Sequence, residues 1–130
     1  MLIEEFKKIN NDSHTIACQN TQKFIKNLIN FGYATNKAIL EDLNDEIEEL
    51  KSELEVNNVE RIKEELGDVV FVLCNLANQY GINLDESLDY STKEFQRRFI
   101  YIENKVGEEN FKNLKMSEIV DLWKEAKNNN

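Results

Sequence analysis

The stretch "DEIEELKSELEVNNVERIKEELGDVV", Asp45 to Val70, decides how this chain folds. On either side of the paired Asn57 and Asn58, leucine, isoleucine and valine recur at spacings of three and four, the period at which side chains share one face of an α-helix. Upstream the series is Ile39, Leu43, Ile47, Leu50 and Leu54; downstream it is Ile62, Leu66, Val69, Val70, Leu73, Leu76 and Ala77. Two amphipathic helices, about Asn36 to Glu55 and Val59 to Tyr80, therefore meet at an asparagine turn and form an antiparallel hairpin.

Working outward, a helix is expected from Thr15, carrying Ile16, Phe24, Ile25, Leu28 and Ile29 up to the break "NFGYATN", where Gly32 suits a C-terminal cap. Leu2 to Ile9 reads as a short helix ended by the polar run Asn10 to Ser13. Beyond Gly81, Asp85 is expected to cap a further helix with the stripe Leu88, Phe95, Phe99, Ile102 and Val106, closed near Gly107. Ser117 opens a last one through Ile119, Leu122 and Trp123. The chain has no proline and only four glycines, which leaves these stretches free to be helical. The fold class is all-α, and 130 residues suit one domain with a real core.

A net charge of −9 repels phosphate backbones, so no nucleic-acid partner is expected, and an anionic ligand would need a cation as intermediary. The N-terminal stretch "MLIEEFKKINNDS" carries acids where a secretory leader needs an apolar run, and no segment is long and apolar enough to span a bilayer. The two cysteines, Cys18 and Cys74, have no metal-ligand spacing and read as buried thiols of a reducing compartment. A cytoplasmic protein without membrane contact is expected.

The acids of the hairpin are not scattered. At about 100° per residue, with Leu43 at zero, Ile47, Leu50 and Leu54 fall within about 40° of it, while Glu46 lies at about −60° and Glu49 at about −120°. With Ile62 at zero on the second helix, Glu65 lies at about −60° and Asp68 at about −120°. Both helices thus present acids on the same flank. Their heights match as well, because Glu49 and Glu65 are each eight residues from Asn57, and Glu46 and Asp68 are each eleven. Four carboxylates so placed repel one another, and either their pKa values rise or a cation neutralises them. With oxygen donors alone, Mg²⁺ or Mn²⁺ suits the set. The lone His14 lies in a polar turn and reads as a surface residue.

Other residues admit two readings each. Gly67, Phe71 and Cys74 lie opposite the apolar stripe of the second hairpin helix, which suggests burial on two sides, by another helix or by a second subunit. Asn75, seven residues after Asp68, offers an amide to a nucleobase or to backbone. Lys93, Arg97 and Arg98 form the densest basic cluster and suit phosphate oxygens or surface ion pairs. Phe95 and Phe99 read as core, and Trp123 can stack on a base or pack.

Together, "DEIEE" (Asp45 to Glu49) and "ELGD" (Glu65 to Asp68) resemble the signature of the MazG-like nucleoside triphosphate pyrophosphohydrolases, Glu-Glu-x-x-Glu followed after a gap by Glu-x-x-Asp. The resemblance continues through "GDVVFVLCNLA", "KEFQRRF" and "DLWKEAK". It covers about residues 24–127 and leaves 1–23 as an N-terminal extension without an assigned role. It implies an all-α bundle around a central helix hairpin, completed as a homodimer or dimer of dimers. It also implies hydrolysis of a nucleoside triphosphate to the monophosphate and pyrophosphate, as in housecleaning of nucleotide pools. Glu46, Glu49, Glu65 and Asp68 match the family's catalytic metal ligands, with Mg²⁺ as cofactor. Arg98 and Trp123 match positions that bind substrate in some members, and Asn75 matches the asparagine after the "GD" motif. Asp45 replaces the first glutamate of the signature, and Glu94 stands where some members carry a lysine, with Lys93 one position earlier. The competing reading is a non-catalytic helical regulatory or interaction module, which would leave the matched carboxylates unexplained.

Overall fold

A computed structural model of the chain describes residues 1–32 and 35–129, so Tyr33 and Ala34 of the expected "NFGYATN" break lie outside the described residues. The described residues form seven helices and no strand: α1 Leu2–Ile9, α2 His14–Ile29, α3 Asn36–Val56, α4 Val59–Gln79, α5 Leu84–Val106, α6 Glu108–Phe111 and α7 Met116–Lys127. They divide into two compact units, residues 1–86 and 87–130, with the boundary just after the first turn of α5.

Short polar side chains set the helix ends. The Ser13 hydroxyl accepts from the Ile16 amide at 3.3 Å to open α2, and Thr35 does the same for Ala38 at 3.2 Å to open α3. Both satisfy amides that a first helical turn leaves without partners. The hairpin turn divides its work between two asparagines. Asn57 takes the left-handed conformation, φ 61°, that ends α3, and the Asn58 side chain accepts from the Arg61 amide at 3.3 Å to begin α4. Gly81 ends α4 with φ 64°, while Ile82 donates back to the Ala77 carbonyl at 3.0 Å and Gly81 to that of Asn78 at 3.2 Å. This double bond from residues past the end closes a helix whose last carbonyls would otherwise be open.

Three expected caps fall on neighbouring residues instead. Asn30, not Gly32, takes the left-handed turn after α2, with φ 53°; asparagine tolerates that region because its short amide bonds locally. Asn83, not Asp85, caps α5, its Oδ1 accepting from the amides of Asp85 at 2.9 Å and Glu86 at 3.3 Å. Asp85 accepts from the Ser13 hydroxyl at 2.5 Å. The last helix begins one residue before Ser117, and the Glu118 carboxylate reaches back to the Lys115 amide at 3.1 Å. The short α6 in the preceding link has no counterpart in the periodicity.

In the first unit α3 and α4 pack as an antiparallel pair, α2 lies on α4, and α1 lies on α2 with Phe6 edge-on to Phe24. Ala17, Ile39, Val72, Cys74 and Ala77 are buried. The two thiols are free; burial, followed by the neighbouring Cys18, pushes the Cys74 thiol up to about 12. A glutamine lies among these apolar groups. Gln19 donates to Asn78 at 3.0 Å and to the Ile82 carbonyl at 2.7 Å, and accepts from the Leu84 amide at 2.9 Å.

The apolar stripes are covered only in part. Leu28 and Ile29 are more than half exposed, because α2 meets α4 through Gln19 and Gln22 in its earlier turns. On α4 the expected second buried face holds at Cys74, which is fully covered, but Phe71 is 48% exposed and Gly67 faces open space. In the second unit, Phe99 and Trp123 lie 5.2 Å apart with Phe95 and Phe111 against them, and Ile102 and Ala126 are fully covered.

Gln19→Ala should lower unfolding stability by about 2–4 kcal/mol, because it leaves the Leu84 amide and the Asn78 and Ile82 oxygens without their partner in a buried place. Urea denaturation measures this, and a loss below about 0.5 kcal/mol would contradict the clamp role given to this glutamine.

Candidate functional site

The site is built on the hairpin. Because the turn is only Asn57–Asn58, α3 and α4 run back along each other without slack, and residues equidistant from it stand at equal heights. Glu46, Glu49, Glu65 and Asp68 come together as the spacing predicts. One carboxylate oxygen of each lies within 4.8 Å of those of the other three. Glu46 and Glu65 are half-buried; Glu49 and Asp68 are exposed.

Electrostatics shows how uneasy this arrangement is for charge alone. Burial, followed by the charge and hydrogen bond of Glu49 and the charges of Asp68 and Asp42, pushes the Glu46 carboxyl up to about 7. Burial, followed by the hydrogen bond and charge of Glu49, then Asp68 and Glu53, also raises Glu65. Glu49 thus acts on both half-buried carboxyls at once. One oxygen each of Glu46 and Glu65 is buried without any hydrogen-bond partner. A buried acceptor in that condition is costly unless something electropositive meets it. The donor set is all oxygen, with no histidine or cysteine in it, and so fits a hard divalent cation.

Two further acids contribute, Glu53 as a neighbour that adds charge and Asp42, which the sequence reading passed over though the wheel carries its signal. Asp42 is four residues before Glu46 and Glu53 four after Glu49, so both lie on the acidic flank of α3 and act on the cluster by charge.

The remaining selected residues divide between the units. Asn75 lies two turns beyond Asp68 on α4 and lines a cleft of about 650 Å³ between α2 and α4. Lys93, Arg97, Arg98 and Trp123 belong to the second unit, where each basic group is engaged within that unit. Lys93 pairs with Asp89 at 2.8 Å. Arg97 binds the Glu94 carboxylate through Nε at 3.1 Å and donates to the carbonyls of Ala126 at 3.3 Å, in the last turn of α7, and of Asn129 at 2.5 Å, just past its end. Arg98 lies 3.7 Å from Glu94 and 5.0 Å over the ring of Trp123, and its Nε is buried without a partner. Two guanidinium groups converge on Glu94, and the bond from Arg97 is the largest cause of the fall in its pKa.

A helical hairpin that gathers four carboxylates over a two-residue turn defines an all-α protein with an acidic, oxygen-only centre. Residues 34–100, just over half of the chain, match the family model of the MazG nucleotide pyrophosphohydrolase domain, and the chain belongs to that family. It is 38% identical over 68 residues to the uncharacterized protein YabN of Bacillus subtilis, a match covering 51% of this chain and 14% of YabN. It is 26% identical over 117 residues to the nucleoside triphosphate pyrophosphohydrolase of Escherichia coli, covering 85% of this chain and 44% of that one. It is 24% identical over 101 residues to the nucleoside triphosphate pyrophosphohydrolase/pyrophosphatase MazG of Thermotoga maritima, covering 76% and 38%. The chain thus spans less than half the length of these curated relatives. No described helix is long and apolar enough to cross a membrane.

The raised Glu46 carboxyl has a consequence for metal-free protein. Between its ordinary 4.5 and about 7, the folded chain keeps a proton that the unfolded chain has released. Its contribution to stability is therefore full below 4.5 and is lost as pH rises through about 7. In chelator, thermal unfolding of the wild type should decline across that window relative to Glu46→Gln. Parallel pH profiles would remove the electrostatic account of the cluster.

Proposed function

We propose that this chain is a divalent-metal-dependent nucleoside triphosphate pyrophosphohydrolase, converting a nucleoside triphosphate and water into a monophosphate and pyrophosphate. The observation that carries the reading is the four-carboxylate cluster with its two orphaned buried oxygens, in a chain of the nucleotide pyrophosphohydrolase family. Glu46, Glu49, Glu65 and Asp68 would hold Mg²⁺, with Mn²⁺ as a substitute. A cation held there would balance the cluster's charge and supply Lewis-acid stabilisation to the phosphates and to an attacking water. The protein's part is positional. Glu46 and Glu65 are held by burial on facing helices, and the exposed Glu49 and Asp68 leave the solvent side open to a triphosphate. Water attacks the α-phosphorus, the bond from that phosphorus to the oxygen bridging to the β-phosphate breaks, and pyrophosphate leaves with that oxygen. Housecleaning of canonical or modified nucleotides in the cytoplasm is the role we infer.

The test is hydrolysis of a panel of nucleoside triphosphates with and without Mg²⁺, with pyrophosphate resolved from orthophosphate. Metal-dependent pyrophosphate release is expected, and Glu46→Gln should cut it at least about a hundredfold by removing a group that neutralises and orients the cation. Mg²⁺ should raise the melting temperature of the wild type and not of Asp68→Asn. Silence across the panel from folded protein would favour a non-catalytic interaction module.

We also infer a homodimer. On the flank of the hairpin opposite the acids, Leu40, Leu54, Leu66 and Val70 are 46–54% exposed. An apolar row of that kind on a central hairpin is the face a second copy would cover. Sedimentation equilibrium should return twice the chain mass or a multiple, and a monomer at micromolar concentration would refute the inference.

A further inference from the structure

The cleft between α2 and α4 is a cavity that the carboxylate chemistry does not use. Its volume, about 650 Å³, is that of a small-molecule site. Its α4 wall is formed by Phe71, Asn75 and Asn78, and its α2 wall by Gln22, Lys23 and Lys26. On the α4 wheel, Asn75 lies within about 20° of Asp68 and about 10 Å further along the axis, with Phe71 between them. The cleft therefore continues from the edge of the carboxylate cluster along the same face of the same helix.

Its polar groups differ in their freedom. Gln22 donates to the Phe71 carbonyl at 2.9 Å and accepts from Asn78 at 3.0 Å, so these amides hold the wall together. The Asn75 amide makes no hydrogen bond to a described residue and is open to a ligand. It offers one acceptor and two donors, the pattern that pairs with the edge of a nucleobase. The exposed rings of Phe31 and Phe71 supply flat apolar surface on which a base can stack. Lys23 and Lys26 bring positive charge to a chain of net charge −9, and neither is ion-paired to a described residue. The stem of Lys26 lies against Gly32, where an added Cβ would come within 3.3 Å of it. In the second unit, by contrast, Glu94 occupies the guanidinium groups of Arg97 and Arg98.

We propose that this cleft receives the nucleoside end of the substrate, with Asn75 reading the base, Phe31 and Phe71 against its faces, and Lys23 and Lys26 on the phosphate chain. In this chain the cations facing the substrate phosphates then come from α2, a helix that precedes the residues matched by the family. The proposal rests on the hydrolase reading for its ligand class, and its test separates the two.

The experiment uses the full chain. First, nucleoside 5′-monophosphates are titrated in chelator and followed by amide NMR, with inorganic phosphate as the control. Shifts at the Asn75 side chain and at the backbone of residues 21–27, seen with monophosphates and not with phosphate alone, are expected. Second, Asn75→Ala and the double variant Lys23→Ala/Lys26→Ala should each raise KM for the best triphosphate about tenfold, with a much smaller change in kcat, as loss of a charge-assisted or amide contact to bound substrate requires. If the wild type hydrolyses triphosphates while both variants keep its KM and the NMR shifts fall elsewhere, the cleft assignment fails and the hydrolase reading stands. If no triphosphate is hydrolysed but monophosphates still shift Asn75, the cleft stands as a nucleotide site and the hydrolase reading fails. Neither turnover nor shifts would overturn both.

Discussion

Like-charge repulsion among Glu46, Glu49, Glu65 and Asp68 is the constraint around which the first unit is organised. Four carboxylates this close cannot all remain ionised where water is partly excluded, so a proton or a cation must be shared among them. The fold holds the arrangement in spite of that cost. It does so with elements that owe nothing to the acids: half-buried Leu43, Ile47 and Leu50 on one helix, Ile62, Val69 and Leu73 on the other, and side-chain caps on Thr35 and Asn58 at the helix starts. A hairpin held by its apolar seam can carry a repulsive cluster on one flank.

A second tie secures the far end of α4. Gln19 joins α2 to Asn78, to Ile82 beyond the helix end, and to the first residue of α5. Three directed bonds on one buried side chain fix a geometry that apolar contacts alone would leave free to slide. The walls of the neighbouring cleft inherit that definition, since Asn78 also donates to Gln22, which bonds to the Phe71 carbonyl.

Most of this plan was legible in the residues because it depends on short-range rules. The ends of α3 and α4 follow from helical period and the Asn57–Asn58 pair, and the meeting of the four acids follows from counting outward from that turn. Readings failed where several residues could do one job. Asn30 took the left-handed turn two residues before the glycine that advertised it, and Asn83 took the cap from Asp85, which turned to Ser13. Burial was harder still. Which part of an apolar stripe is covered depends on how far a neighbouring helix extends, and Leu66 and Val70 lie on the α4 stripe yet are about half exposed. A buried glutamine has no signature in periodicity at all, because its partners are carbonyls and amides far along the chain. The engagement of Arg97 by main-chain carbonyls of residues 126 and 129 was hidden for the same reason.

The two-residue turn makes loop length itself a functional quantity. One residue added between Asn57 and Asn58 and taken up into the first turn of α4 would displace every later residue of that helix by about 1.5 Å along its axis and about 100° around it. The acids of α4 would then swing off the shared flank although no ligand residue had changed. Insertions in surface loops are ordinarily tolerated. Here the shortest connection in the unit acts as a gauge block, and its tolerance to change is set by the spacing of oxygen atoms about two to three turns away.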